Sequence, residues 1–215
     1  MKILKQIFCC QEWHFLFLTL LLLPFYFAQT LFQNPWFGIA LSIPILHQLY
    51  VWFIWRVELY TNYFTNKFGL QKAFHLYTIG FSILFGSRLL FIIILAYTDK
   101  NSLDIEVYFP YTLAIIITPF VVYLFYSVKK YFTIERAYGI DHFDKNYNVA
   151  FVKKGIFKYT NNGMYVVGLS ILYLPGLLFL SKSALIIALF NHAYIWVHYF
   201  FTEKPDMKVI YGSTP

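Results

Sequence analysis

Six long apolar stretches limit what this chain of 215 residues can fold into. A helix that crosses a bilayer needs about 20 mostly apolar residues. Hydrophobic residues make up 60% of the chain and charged residues only 13%, so polar side chains could not cover the surface of a water-soluble domain. The sequence therefore predicts an all-α, polytopic integral membrane bundle of about six transmembrane helices. The expected spans are Phe15–Phe32, Trp36–Val57, Phe74–Tyr97, Tyr108–Val128, Met164–Leu180 and Ala184–Phe201.

The distribution of Lys and Arg predicts how these spans are oriented. With the N-terminus inside, 14 of the 17 basic residues fall in inner segments, whereas the outer loops hold only Lys100 and Lys182. Cytoplasmic loops of membrane proteins are enriched in Lys and Arg. We therefore expect both termini to be cytoplasmic. The net charge of +7 follows from this topology, so we expect no nucleic-acid partner.

We expect a single membrane domain, 1–215, in three parts. Residues 1–128 form a four-span N-terminal part, 129–163 an inner interfacial segment, and 164–215 a C-terminal hairpin with a tail. Residues 129–163 hold seven of the basic residues but also many apolar ones, which predicts that they fold against the membrane surface. The only two cysteines, Cys9 and Cys10, are adjacent, so neither a disulfide framework nor a metal site is expected.

Arg88 lies within the third predicted span. A charged residue there usually faces the bundle interior, because exposure to lipid is costly. At 1.5 Å per residue Arg88 is about 22 Å from the inner end of its span, and His47 and Gln48 are about 15 Å deep in theirs. They are the nearest polar partners by depth. Alternatively, Arg88 extends outward to the exterior headgroups.

The second predicted span places His47, Val51, Trp55 and Glu58 on one helical face, because they recur at intervals of four, four and three. Glu58 would emerge at the inner interface beside Arg56. One interpretation is a ligand site along this face. The other is that Arg56 and Glu58 are ordinary interfacial charges and His47 is a core histidine.

The last predicted span carries a polar stripe. Asn191, Tyr194 and His198 recur at intervals of three and four, and the charged cluster Thr202–Asp206 follows at the inner end. Such a stripe indicates a lined cavity rather than lipid contact. The alternative is that Tyr194 and His198 pack against neighbouring helices. Pro205 predicts the end of the helix.

Two segments of the last 60 residues resemble a known family. They are Gly155-Ile-Phe-Lys-Tyr-Thr-Asn-Asn-Gly-Met-Tyr-Val-Val-Gly168 and, after a two-span hairpin, Thr202-Glu-Lys-Pro-Asp-Met-Lys-Val-Ile-Tyr-Gly212. They resemble motifs of the membrane-embedded phospholipid methyltransferases and of their isoprenylcysteine carboxyl methyltransferase relatives. Gly163 stands where that family usually has Pro, and Asn162 where the isoprenylcysteine branch has His. The motif is more similar to the phosphatidylethanolamine branch.

This resemblance implies a methyltransferase that uses S-adenosylmethionine, bound without a Rossmann fold between the first motif and the inner end of the last span. It also implies a set of residues around the donor. They are Tyr159, Asn162, Tyr165, Gly168, Glu203, Lys204 and Pro205. The expected partners are the bilayer and a membrane lipid similar to phosphatidylethanolamine. We expect a bacterial inner membrane, with the endoplasmic reticulum as the alternative, and the oligomeric state is left open.

The expected chemistry is attack on a sulfonium methyl group by a lipid amine. An amine with a pKa near 10.4 is protonated at pH 7, so a neighbouring base must take its proton. The candidate bases are His198, Glu58 and His142. The expected substrate-binding residues are His47, Arg56 and Arg88.

Three alternatives remain open for the function. One is methylation of a prenylated cysteine carboxyl group or a small thiol, for which Arg88 or Arg56 would hold a carboxylate. Another is a non-catalytic or reductase-like membrane relative. The third is a structural or channel-like membrane protein.

Overall fold

The computed structural model describes residues 2–147 and 149–212, and these residues form helices and connecting loops with no strand. The α-helices are α1 (Lys2–Ile7), α2 (Gln11–Phe32), α3 (Pro35–Thr61), α4 (Tyr63–Phe68), α5 (Leu70–Thr98), α6 (Tyr108–Ser127), α7 (Ile134–Ala137), α8 (Gly163–Val166), α9 (Tyr173–Leu178), α10 (Lys182–His198) and α11 (Lys204–Tyr211). The π-helical turns are Val128–Phe132 and Tyr199–Glu203, and the 3₁₀ turns are Ile140–His142, Gly155–Lys158 and Gly168–Leu172.

The predicted polytopic helical bundle is confirmed. Within the described part of the chain, five helical stretches are long and apolar enough to cross a membrane. They are Ile3–Ala28, Pro35–Thr61, Leu70–Thr98, Tyr108–Phe132 and Lys182–Tyr211. The stretch expected as a fifth span differs: it is shorter, Gly163–Leu178, and consists of α8, a 3₁₀ turn and α9 rather than one continuous helix. Gly168 begins the 3₁₀ turn, where the α-helical ladder stops.

The core of the bundle surrounds α10. Ala184, Ile187, Ala188 and Phe190 are completely buried, and they pack in one cluster with side chains of α2, α3 and α5. Two alanines on this face let the helix backbones approach closely, as small residues do in membrane bundles. The Phe190 ring meets that of Phe25 edge to face, with 4.9 Å between the centroids. Helix α10 is therefore the central element of the fold.

At the end of the bundle that the sequence predicts to be the outer one, Asp99 joins α5 to α10. Its carboxylate accepts hydrogen bonds from the Ser102 and Ser181 hydroxyls, at 2.8 and 2.9 Å, and from the backbone N–H of Ser183 at 3.0 Å. Burial raises the pKa of Asp99, but these hydrogen bonds outweigh burial and hold the pKa below its ordinary value. The outer end is thus held together by saturated polar contacts.

At the opposite end, which the sequence predicts to be the inner one and which we call the inner end, residues 133–147 and 149–162 pack against α3, α5 and α6. Phe143 is buried in a cluster with residues of α3 and α5, and Ile156 packs on Leu124 of α6. Gly155 has φ +60° and lies so close to Ser127 that a Cβ atom would be 2.6 Å from the Ser127 hydroxyl. The same hydroxyl accepts a 3.1 Å hydrogen bond from the Ile156 N–H. This contact fixes where the first motif begins.

The prediction that Pro205 ends the last helix is wrong. Helix α10 continues through the π-helical turn Tyr199–Glu203 into α11, which ends at Tyr211. Pro205 lies in the first turn of α11. A proline is tolerated there because the N–H it lacks would have no partner within the new helical segment.

Candidate active site

The inner end of α10 carries Glu203 at the end of a π-helical turn. Such turns are rare and often occur at functional sites, because they change the direction of the side chains that follow. The Tyr165 hydroxyl donates a hydrogen bond to the Glu203 carboxylate. This contact joins the two motif segments, which lie 38 residues apart in the chain. Tyr165 and Glu203 form the polar centre of the candidate site.

An inner cavity of about 80 Å³ lies beside this pair. It combines aromatic side chains with cationic, anionic and amide groups. Its lining includes Trp55, Phe132, Arg136, Asp141, His142, Phe151, Val152, Phe157, Asn161, Asn162, Met164, Tyr165, Glu203 and Met207. Such a wall can hold a ligand that itself combines a ring system with charged groups.

His142 is the most constrained residue of the inner cavity. Its ring stacks on Trp55, with 4.0 Å between centroids, and its nitrogens lie 3.1 Å from Asp141 and 3.6 Å from Asp206. Burial lowers the pKa of His142, but the hydrogen bond with Asp141 and the charges of Asp141 and Asp206 outweigh burial and raise the pKa to about 9. His142 is therefore cationic at pH 7.

Asp141 is the counterpart of His142. Burial raises the pKa of its carboxyl group, but hydrogen bonds from His142 and from the Tyr211 hydroxyl outweigh burial and hold the pKa below its ordinary value. The inner wall therefore contains a stable pair of opposite charges.

Arg136 provides a second cation in the inner wall. Its guanidinium donates a 2.9 Å hydrogen bond to the carbonyl of Ala150 and lies over the rings of Phe132 and Phe151, 4.9 and 5.7 Å from their centroids. The sequence did not single out Arg136, because it is one of seven basic residues in the same segment. The many basic residues drew attention to this segment but did not distinguish Arg136 from the other six.

A second, larger cavity of about 270 Å³ lies between the spans, and we call it the membrane cavity. Its wall is mostly apolar, and the polar exceptions include His47, Gln48, Arg88 and His198. It shares Trp55, Ala137, Met164 and Tyr165 with the inner cavity. One chamber with a charged wall thus adjoins one with an apolar wall, and Tyr165 borders both.

The structure brings most of the residues predicted for the site to these two cavities. His142, Asn162, Tyr165 and Glu203 line the inner cavity. His47, Arg88, Tyr165, Gly168 and His198 line the membrane cavity. Tyr159, Lys204, Pro205, Arg56 and Glu58 line neither of them.

Arg56 and Glu58 are completely buried rather than interfacial. Arg56 forms an ion pair of 2.8 Å with Asp206 and donates hydrogen bonds to five carbonyl oxygens of the N-terminal segment and of the π-helical turn. Glu58 accepts hydrogen bonds from the first N–H groups of α4 and from the Thr65 hydroxyl. Both side chains are engaged in holding the inner end of the bundle together.

Gln11 and His14 are buried polar residues that sequence reasoning missed. Gln11 donates to the carbonyl of Phe201 at 2.9 Å, and a His14 nitrogen lies 2.9 Å from the Tyr194 hydroxyl. The predicted first span began after them, whereas α2 begins at Gln11. They connect α2 to the turn that carries Glu203.

No curated protein and no solved structure matches this chain. Within residues 2–147 and 149–212, no group of His, Cys, Asp and Glu could hold a metal ion.

The model of the phospholipid methyltransferase family matches residues 105–214, just over half of the chain. This range extends from the start of α6 to the end of α11 and contains the Tyr165–Glu203 pair. The chain belongs to the phospholipid methyltransferase family.

Proposed function

We propose that this protein transfers a methyl group from S-adenosylmethionine to the amine of phosphatidylethanolamine or of its methylated derivatives. The observation that carries the proposal is the Tyr165–Glu203 pair, which stands where a charged cavity at the inner end of the bundle meets an apolar cavity between the spans. A water-soluble donor suits the first cavity and a lipid acceptor suits the second. Both reactants would then meet at Tyr165.

The residues of the inner cavity fit the chemistry of this donor, which methyltransferases of this kind typically use. When bound, it supplies a methyl group already activated on a sulfonium centre. Glu203 would accept hydrogen bonds from its ammonium or ribose hydroxyl groups, and Arg136 and His142 would pair with its carboxylate. The aromatic walls would contact its adenine ring.

The inner cavity must widen to admit the donor, because about 80 Å³ is below the roughly 300–1,000 Å³ of most ligand pockets. Phe151 and Val152 form part of its wall and lie in a stretch without helix. We expect this stretch to move outward when the donor binds. Hydrogen exchange of residues 149–154 measures the change, since donor binding would order their backbone.

His198 is the proposed proton acceptor for the amine. It lines the membrane cavity together with Tyr165, and its Nδ1 has no hydrogen-bond partner. His142 is less suitable because two carboxylates keep it protonated, and Glu58 is engaged at the start of α4. Once the amine is neutral, holding it about 3–3.5 Å from the methyl group in a dry site accelerates the transfer.

The proposed location of the reaction is the cytoplasmic face of a bacterial inner membrane. Both termini would be cytoplasmic, so the donor would reach the inner cavity from the cytoplasm. The lipid would reach the membrane cavity from within the bilayer. This arrangement explains why an enzyme with a water-soluble donor is embedded in a membrane.

Vesicles that contain the purified protein, phosphatidylethanolamine and methyl-labelled S-adenosylmethionine test the proposal. We expect label in the methylated amine headgroups with wild-type protein, and a large loss of label with Glu203→Gln. Matched vesicles with a prenylated cysteine peptide or a small thiol test the alternative acceptors. Label in these acceptors and none in the lipid would overturn the proposal.

A further inference from the structure

Arg88 lies in the wall of the membrane cavity with its charge almost uncompensated. The residue is only 3% exposed. Its Nη2 donates one hydrogen bond of 3.2 Å to the carbonyl of Pro44, and its Nε has no partner. Arg88 forms no ion pair within residues 2–147 and 149–212. A guanidinium buried among apolar groups is costly unless an anion accompanies it.

The groups around Arg88 also lack partners. His47 is 2% exposed, and in the described part of the chain neither of its ring nitrogens has a hydrogen-bond partner. The same holds for Nδ1 of His198, which is 1% exposed. Both residues line the same cavity as Arg88. Buried polar atoms in proteins are nearly always hydrogen-bonded, so three such side chains in one cavity point to a ligand with oxygen acceptors.

Resting on the proposed function, we propose that Arg88, with His47, binds the phosphodiester oxyanion of the acceptor lipid. The guanidinium has the donor geometry for phosphate oxygens. His47, Arg88 and Tyr165 line this one cavity. The proposal places the phosphodiester of the headgroup at Arg88 and His47 and its amine beside Tyr165.

This assignment makes Arg88 a specificity-determining residue. The enzyme would distinguish amine lipids that carry a phosphodiester from amine lipids that lack one. The apolar remainder of the cavity, which includes Phe81, Phe85 and Phe125, would contact the hydrocarbon next to the headgroup. The donor carboxylate is the competing anion, and its binding is therefore measured separately.

Binding of single-chain probes tests the anion site without catalysis. Hexadecyl phosphate, hexadecanol and inorganic phosphate are titrated into the purified protein in a neutral detergent. We expect hexadecyl phosphate to bind at least tenfold more tightly than either of the other two. In Arg88→Met this preference for hexadecyl phosphate over hexadecanol should fall by about 10–100-fold, the usual effect of losing a charged hydrogen bond. Arg88→Lys, which keeps the charge, should retain part of the preference.

Ile195→Val is the matched control, because Ile195 lines the same cavity without a polar atom. It should change the affinity for hexadecyl phosphate and hexadecanol by the same factor. An unchanged preference in Arg88→Met would overturn the proposal, and so would equally tight binding of inorganic phosphate. Weaker binding of S-adenosylmethionine to Arg88→Met would also overturn it, since Arg88 would then belong to the donor site.

Methyl transfer to two lipids separates this proposal from the proposed function. The lipids are phosphatidylethanolamine and a diacylglycerol whose aminoethyl group is attached through an ether without phosphate. Wild-type protein should prefer the phospholipid, and Arg88→Met should lose that preference. Label in neither lipid, together with phosphate binding that depends on Arg88, contradicts only the proposed function. Label in both, with an unchanged preference in Arg88→Met, contradicts only the anion site.

Discussion

Two buried arginines of this bundle have opposite environments. Both Nη atoms of Arg56 donate hydrogen bonds, to five carbonyl oxygens in all, and its Nε lies 2.8 Å from the carboxylate of Asp206 in an ion pair. Among the residues that the structure describes, Arg88 makes one hydrogen bond, to the Pro44 carbonyl, and it faces a cavity. A guanidinium that the protein itself saturates holds the fold together. A buried guanidinium whose hydrogen-bond donors the protein does not satisfy is available to a ligand. Burial alone therefore does not show that a charged residue has a structural role.

The largest effect is expected from Arg56→Met. The substitution removes the closer of the two cations that the structure describes beside Asp206, which is completely buried, and leaves His142 at 3.6 Å; it also removes hydrogen bonds to the N-terminal segment. Breaking a buried ion pair in this way costs about 3–5 kcal/mol of unfolding free energy. Equilibrium unfolding in detergent measures the loss. The double variant Arg56→Met, Asp206→Asn should recover part of it, because the buried carboxylate is gone. A loss of unfolding free energy below about 1 kcal/mol would show that the contacts of Arg56 do not stabilise the fold, contrary to its contrast with Arg88.

The second prediction concerns pH and uses the cation that shares Asp206 with Arg56. His142 has its pKa raised to about 9 from an ordinary value near 6.5, so its proton stabilises the folded state. This contribution, about 3 kcal/mol, is fully present below pH 6.5 and is lost as the pH rises through about 9. The unfolding free energy should therefore fall between pH 7 and pH 10. Asp141, Asp206 and Glu203 are the carboxylates that face this ring.

The variant His142→Gln is the comparison for this pH dependence. It lacks the titrating group, so its unfolding free energy should change less between pH 7 and pH 10. Equal slopes for variant and wild type would assign the pH dependence to other groups. The polar network around Arg56 and Asp206 would then be independent of the protonation of His142.

The third prediction tests the charged wall of the inner cavity. Glu203→Gln keeps the shape of the side chain but removes its charge, so the affinity for S-adenosylmethionine should fall about 10–100-fold. Lys208→Gln is the control, because Lys208 is exposed on the adjoining helix α11 and lines neither cavity. Titration calorimetry measures both affinities. Equal losses in the two variants would place the donor elsewhere.

Regular helix geometry explains how much the sequence could predict. Five of the six apolar stretches correspond to helices long enough to cross a membrane, as expected if every backbone polar group in lipid must be satisfied within a helix. The fixed rise per residue placed Arg88 at a depth near His47, and both residues line one cavity. The rise and periodicity of single helices thus identified two of the residues that line the membrane cavity.

Helix geometry could not predict contacts between segments that are distant in the sequence. Arg56 and Asp206 are separated by 149 intervening residues, and their ion pair depends on the π-helical turn that redirects the chain before α11. The sequence showed a proline at position 205 and predicted a helix end there. The sequence places Gly155 at the start of the first motif but does not predict its contact with Ser127, because that contact depends on where α6 ends. Packing between elements decides these features.

The smallest effect on stability is expected from Arg88→Met, in contrast to Arg56→Met. Methionine has a similar length and removes an uncompensated charge, while the only hydrogen bond lost is the one to the Pro44 carbonyl. Replacing buried charges with apolar groups of similar volume is often neutral or stabilising. The unfolding free energy should therefore change by no more than about 1 kcal/mol, in either direction, under the conditions used for Arg56→Met. A loss of about 3 kcal/mol would mean that Arg88 is as saturated as Arg56, and the contrast between the two arginines would disappear. With stability retained, any change in lipid preference of Arg88→Met reports on the cavity and not on the fold.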